Sequence, residues 1–190
     1  MLAFALATLL SVSLPEGAEP YLSEGSAYAE FQSADITITV FDAELAAQAI
    51  AEFRETFEKP ETARAGVEVM AMEETTLAER PATLIDYRKP AAVARLTDEG
   101  EVEIVPGIER TRQIYLSLGG PSLVLTIWTK LDDVDIVAVA DGLVASLVPG
   151  EGKTTGEIAL MSGGEDLGTL GGKLADAPLA APLVIDAVAE

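Results

Sequence analysis

An α+β protein built on an antiparallel sheet is what this sequence predicts, and three observations carry that reading. Stretches with the period-two alternation of strands come in runs, rather than alternating one for one with helices. Two stretches with helical spacing, 43–58 and 136–147, each close such a run. Between them, residues 112–130 read as a β-hairpin. Ile114, Leu116 and Leu118 alternate with Tyr115 and Ser117, Gly119-Gly120-Pro121 breaks the run, and Leu123, Leu125 and Ile127 then alternate with Val124, Thr126 and Trp128. The predicted order is β-β-β-α-β-β-β-β-α, an antiparallel sheet with two helices packed on one face, followed by a C-terminal β-rich tail.

Residues 1–14 support two readings. They resemble the apolar part of an export signal, without its basic start and with Glu16 where a cut after Ala18 wants a small residue. They are equally a buried first strand, because Leu10, Val12 and Leu14 alternate with Ser11 and Ser13 before Pro15-Glu-Gly. The first reading places the protein in the periplasm or outside the cell, the second in the cytoplasm. The stretch is too short to span a bilayer, so no transmembrane span is expected.

Tyr28-Ala-Glu-Phe-Gln32 is a weak strand. Asp35-Ile-Thr-Ile-Thr-Val-Phe41 is a strong, β-branched one. Asp42 then suits the N-cap of a helix over 43–58, with Ala46, Ala49, Ile50, Phe53 and Phe57 inward and Glu44, Glu52, Glu55 and Glu58 outward. Pro60 stops it. Val67-Glu-Val-Met-Ala-Met72 is the next strand, 73–80 a polar continuation, and Pro81-Ala-Thr-Leu-Ile-Asp-Tyr-Arg88 another strand. Residues 89–100 read as a loop or short helix. Glu101-Val-Glu-Ile-Val105 alternates as a strand that Pro106-Gly107 ends. After the hairpin, Asp132-Asp-Val-Asp135 caps a helix running to about Leu147, with Ile136, Ala140, Leu143, Val144 and Leu147 inward.

From Glu151 the text turns rich in Gly, Ala and Pro, which divides the chain into a domain over 1–150 and an extension over 151–190. Within the extension, Glu157-Ile-Ala-Leu-Met161 and Pro182-Leu-Val-Ile-Asp-Ala-Val188 read as strands of a docked hairpin or tail.

Composition narrows the chemistry. Acidic residues outnumber basic ones 32 to 12, a net charge of -20 that repels phosphate backbones and anionic lipid. Nucleic acid is therefore not an expected partner; a protein or a small apolar ligand is. The chain has no Cys and no His, which removes thiolate catalysis, the usual base near neutral pH and the commonest zinc ligands. No catalytic residue, metal or cofactor is expected. Asp132, Asp133 and Asp135 read as helix capping rather than an oxygen-ligand cation site. Gly152-Lys153-Thr154 lacks the upstream Gly of a phosphate loop and follows a helix instead of a strand, so it reads as a surface turn.

Two clusters suit a binding surface. Arg88, Lys89, Arg95, Arg110 and Arg112 concentrate positive charge in an acidic chain, though Asp86, Glu101, Glu103 and Glu109 are at hand to pair with them. Tyr87, Tyr115 and Trp128 supply amphipathic aromatics that suit a groove or a half-buried sheet face. The binding candidates are Tyr87, Arg88, Arg112, Tyr115 and Trp128.

Four stretches, taken in this order, resemble one known family. They are Ser11-Val-Ser-Leu-Pro-Glu-Gly17, Ile36-Thr-Ile-Thr-Val40 before a helix, Arg80-Pro-Ala-Thr-Leu-Ile-Asp-Tyr87, and Ile114-Tyr-Leu through Trp128 with a helix ending at Ser146. Together they resemble the PsbP-like superfamily, which takes in photosystem II extrinsic proteins, a Ran-binding protein, DcrB-like lipoproteins and type VI secretion chaperones. The match covers roughly residues 10 to 148. The resemblance implies a non-enzymatic binding or accessory protein, often exported. A cytosolic secretion-type chaperone, holding apolar segments on an apolar sheet face, is the alternative; a carboxylate-dependent hydrolase, needing paired carboxylates in a pocket, is the second.

Overall fold

The 112–130 hairpin lies at the centre of a seven-stranded sheet in the computed structural model, which describes residues 10–23, 26–98, 100–119, 121–130, 134–147, 158–162 and 165–170. The elements in chain order are β1 (Leu10–Ser13), β2 (Glu19–Ser23), β3 (Ser26–Phe31), β4 (Ala34–Phe41), α1 (Ala43–Glu58), α2 (Pro60–Arg64), β5 (Glu68–Leu77), β6 (Arg80–Leu96), β7 (Val102–Ser117), β8 (Ser122–Thr129), α3 (Ile136–Ala145), β9 (Ile158–Ser162) and β10 (Glu165–Leu170). The large sheet runs β2-β3-β4-β8-β7-β6-β5, and every neighbouring pair in it is antiparallel. The fold is α+β with an antiparallel sheet.

The two helices cap as their sequences dictate. The Asp42 carboxylate accepts from the Leu45 backbone N–H at 2.7 Å, and Asp135 accepts from Val137 and Ala138 at 3.0 and 3.2 Å. The predicted inward residues of both helices reach apolar clusters. They do not share a face, however, and this corrects the expectation of two helices on one side. Ile114, Leu116, Leu123, Leu125 and Ile127 pack with Ile136, Ala140 and Leu143 of α3. Tyr115, Val124 and Ile85, of opposite parity, pack with Ala46, Ile50, Phe53 and Phe57 of α1. The reason is the pleat: both parities of these central strands are apolar, so each face needs its own cover. Val12 and Leu14 of β1 and its following turn complete the α3 side.

β1 also pairs in parallel with β9, from Leu10 opposite Ile158 to Ser13 opposite Met161, and β10 folds back on β9. The first strand is thereby joined to the segment beyond α3 in a separate three-stranded sheet. Residues 1–9 and 182–188 lie outside the described residues.

Two further readings are corrected along β6 and β7. Residues 89–100 are no loop or helix, because β6 continues to Leu96; and Pro106-Gly107 does not end a strand, because β7 runs through it. The ladder is unbroken from Ala82 opposite Leu116 to Leu96 opposite Val102. The prolines are tolerated because of where the neighbours stop. β5 leaves β6 at Arg88, and β8 leaves β7 at Arg110, so Pro90 and Pro106 both lie on free edges that demand no N–H donor on the outer side. Gly107 is required by packing, since a Cβ there would collide with Val93 across the ladder. The polar stretch 73–77 likewise belongs to β5, where Glu73, Glu74 and Thr76 are exposed.

Candidate functional site

The consequence of this register is a two-stranded arm. Beyond the row of Arg88 opposite Arg110, β6 and β7 project from the sheet with only each other as paired strands among the described residues, Gly66 lying beside Pro90 and Lys130 beside Gly107 at the root. The turn at its tip is closed by the Gly100 N–H donating to the Thr97 carbonyl at 2.9 Å and Thr97 donating to Glu101 at 2.8 Å. Four successive same-face rows of the arm are apolar on both strands: Pro90 opposite Ile108, Ala92 opposite Pro106, Ala94 opposite Ile104, and Leu96 opposite Val102. All eight side chains are exposed. Leu96, Val102, Ile104 and Ile108 retain 69, 67, 64 and 44% of their accessible surface, more than half of the seven large apolar side chains that are exposed among the described residues. The other face of the arm carries Lys89, Arg95, Glu103 and Glu109 among Ala91, Val93 and Val105. A hollow of about 700 Å³ runs along the arm from Lys130 to Leu96, with Val93, Val105 and Gly107 in its lining.

Charge is distributed along the apolar face. At the root Arg88 stands directly opposite Arg110. Arg88 reaches Glu68 at 2.6 Å, while Arg110, half-buried, has no ion pair among the described residues. One row further in, Arg112 donates to the Asp86 carboxylate at 2.8 Å, with the two side chains 13 and 7% exposed. Asp86 Oδ1 and Arg112 Nε have no hydrogen-bond partner among the described residues. At the tip Asp98 is exposed, and Glu101, opposite Thr97, is exposed with the parity of the other face.

The five binding candidates fall on two faces. Tyr87 packs against Phe53 and Phe57 of α1, with ring centroids 6.1 and 5.4 Å away, and shares a shallow groove of about 270 Å³ with Trp128. Glu109, Thr111, Gln113, Thr126 and Lys130 complete that groove, with the Lys130 ammonium 5.3 Å from the Trp128 ring centre. Tyr115 is buried beside it under α1 and donates to Gln113 Oε1 at 3.0 Å. Burial pushes its phenol pKa up to about 12, with the neighbouring Tyr87 adding to the shift. Arg88 and Arg112 lie on the opposite, α3-side face. The Lys89 ammonium, on the groove side, is held by Glu109 at 2.8 Å, and this bond raises its pKa.

Where α1 leaves the sheet uncovered, the surface is polar. Glu30, Asp35, Thr37, Thr39, Gln113 and Thr126 share the parity of Tyr115 and Val124, with the amphipathic rings of Tyr28 and Trp128 among them. An apolar cavity of about 480 Å³ lies instead between α3 and the turn after β1, lined by Leu14, Phe31, Val139 and Leu143 among others. The Asp132 and Asp133 carboxylates and the Gly152-Lys153-Thr154 turn lie outside the described residues, and among the described residues no three acidic side chains come together. No described helix is long and apolar enough to cross a membrane.

The apolar arm was missed in the sequence, although its signal is present. Val102, Ile104, Pro106 and Ile108 alternate with Glu103, Val105, Gly107 and Glu109 without interruption. Pro-Gly reads locally as a turn, and only the departure of β8 makes it acceptable in a strand.

No family model matches this chain, and no curated protein does. Among solved structures, a Bacteroides thetaiotaomicron protein superposes with a TM-score of 0.43 at 8% identity, over 78% of this chain and 52% of its own. This chain thus spans about half the length of that protein.

Proposed function

We propose that this protein is a non-catalytic binding module, an accessory protein whose working surface is the apolar face of the arm. The observation that supports this reading is the four consecutive apolar rows whose side chains are all exposed. Solvated apolar surface of that continuity costs solubility and is a mark of interaction sites in soluble proteins. The resemblance to the PsbP-like superfamily supports the accessory role. A sheet-face chaperone needs apolar surface on the open part of the sheet, where Thr37, Thr39 and Thr126 stand; the arm offers that surface instead.

Site-specific photo-cross-linking tests the reading. A benzophenone side chain at Ile104 is expected to yield protein adducts in native lysate, and one at Thr37 to yield none. The adducts should disappear when Leu96→Asp is added. Adducts from Thr37 with none from Ile104 would move the working surface to the open sheet face and sink the arm.

A further inference from the structure

We propose that the arm's partner is a second copy of this chain, held face to face and antiparallel about a two-fold axis. This rests on the reading of the arm as the working surface. The two ends of the stripe carry opposite charge, with Arg88 and Arg110 at the root and Asp98 at the tip. A two-fold axis through the row of Val93 and Val105 brings the Leu96 row onto the partner's Pro90 row and the Ala94 row onto the partner's Ala92 row. The same operation brings Asp98, five residues beyond the axis, over the row of Arg88 and Arg110, five residues before it, within reach of both guanidinium groups. An isologous contact must be self-complementary in this way. Here both the apolar rows and the charges meet that condition.

Two observations favour the face over the edge. Pro90 and Pro106 lie on the two free edges of the arm, where missing N–H groups block the addition of another strand. Arg110 lies opposite Arg88, a like-charge pair that opposes sheet formation unless an acid is supplied. Glu68 serves Arg88, and Arg110 has no ion pair among the described residues. In a chain with net charge -20, the acidic tip of a second copy supplies a carboxylate to this row.

Magnitude sets the expected affinity. The stripe from 90 to 96 is about 20 Å long at a strand's rise per residue. Two strands of that length form a contact at the small end of specific interfaces, below roughly 1,200 Å² in total. Contacts of that size belong to transient complexes rather than obligate dimers, so dissociation on the order of micromolar is the expectation.

Sedimentation equilibrium of the full chain, from about 1 to 500 µM to bracket that range, decides the matter. The wild type is expected to pass from monomer to dimer. I104D, at an exposed position, should leave the melting curve of the dilute monomer intact and abolish the dimer. R110E should weaken it about tenfold, the scale of one lost charge contact, and D98R added to R110E should return the affinity towards wild type. A wild type that stays monomeric, a dimer indifferent to I104D, or a loss that D98R fails to relieve overturns the proposal. The cross-linker at Ile104 separates this failure from that of the arm itself. Adducts between two copies support the dimer; adducts only with other proteins, or only within one chain, overturn it. Adducts with other proteins leave the arm standing as a binding surface, while no adducts at all remove both.

Discussion

The inner and outer halves of the strand pair β6 and β7 carry the same pattern and meet different fates. In the inner half, Leu84, Ile114 and Leu116 alternate with polar or α1-facing residues and are buried against α3 and its neighbours. In the outer half, Ala94, Leu96, Val102 and Ile104 occupy the same parity on the same ladder and are exposed. Nothing in local conformation separates them. What differs is that β4, β5, β8 and the helices end before the arm begins. A binary pattern specifies which face is apolar, and the rest of the fold decides whether that face is core or contact surface.

One row inside the boundary between the halves lies Asp86 opposite Arg112, and breaking this pair should have the largest effect. Asp86→Ala leaves a largely buried guanidinium with, among the described residues, only Asp141 in reach, at 3.9 Å. A loss of about 3 to 5 kcal/mol is expected in denaturant unfolding. A double change to Leu and Met at 86 and 112 should lose much less, since it removes both charges together. If Asp86→Ala unfolds no more easily than wild type, the pair is not the buried joint described.

Within β7 the two halves can be compared directly. Leu116→Ala, in the fully buried half, should cost about 2 to 5 kcal/mol. Ile104→Ala, at 64% exposure, should stay within about 0.5 kcal/mol when measured at a dilution where chains are separate. Equal losses at the two sites would erase the distinction and mean that the arm's face is covered within its own chain.

Gly107→Ala sharpens the comparison from inside the arm. The added methyl meets Val93, so a loss of about 1 to 2 kcal/mol is expected for crowding a packed ladder. Hydrogen exchange should localise it to amides of 89–109, with the inner half unchanged. Val93→Ala in the same chain should restore protection. Spread of the faster exchange into the Leu84 and Ile114 rows would show that arm and body open as one unit.

Much of the body was legible from local text. The N-cap at Asp42, the inward spacing of Ala46, Ile50, Phe53 and Phe57, and the Gly119 turn of the central hairpin are properties of short segments, set by hydrogen bonding and period alone. Less of the candidate site was legible. Tyr87 and Trp128 meet in one groove, but Arg88 and Arg112 face the other way, because a one-residue difference in parity puts them across the sheet.

By itself the sequence determined the class of the fold, both long helices with their caps, and the alternation that sorts the side chains of each strand onto two faces. Periodicity and capping act over a few residues and need no tertiary partner. Only the tertiary structure decided that α1 and α3 lie on opposite faces, that β1 pairs with β9, and that β6 and β7 run on past their neighbours. Those outcomes depend on where other strands stop. The proline at 106 shows the limit plainly: it breaks a strand inside a sheet and is tolerated on a free edge, and the edge exists only once β8 has turned away.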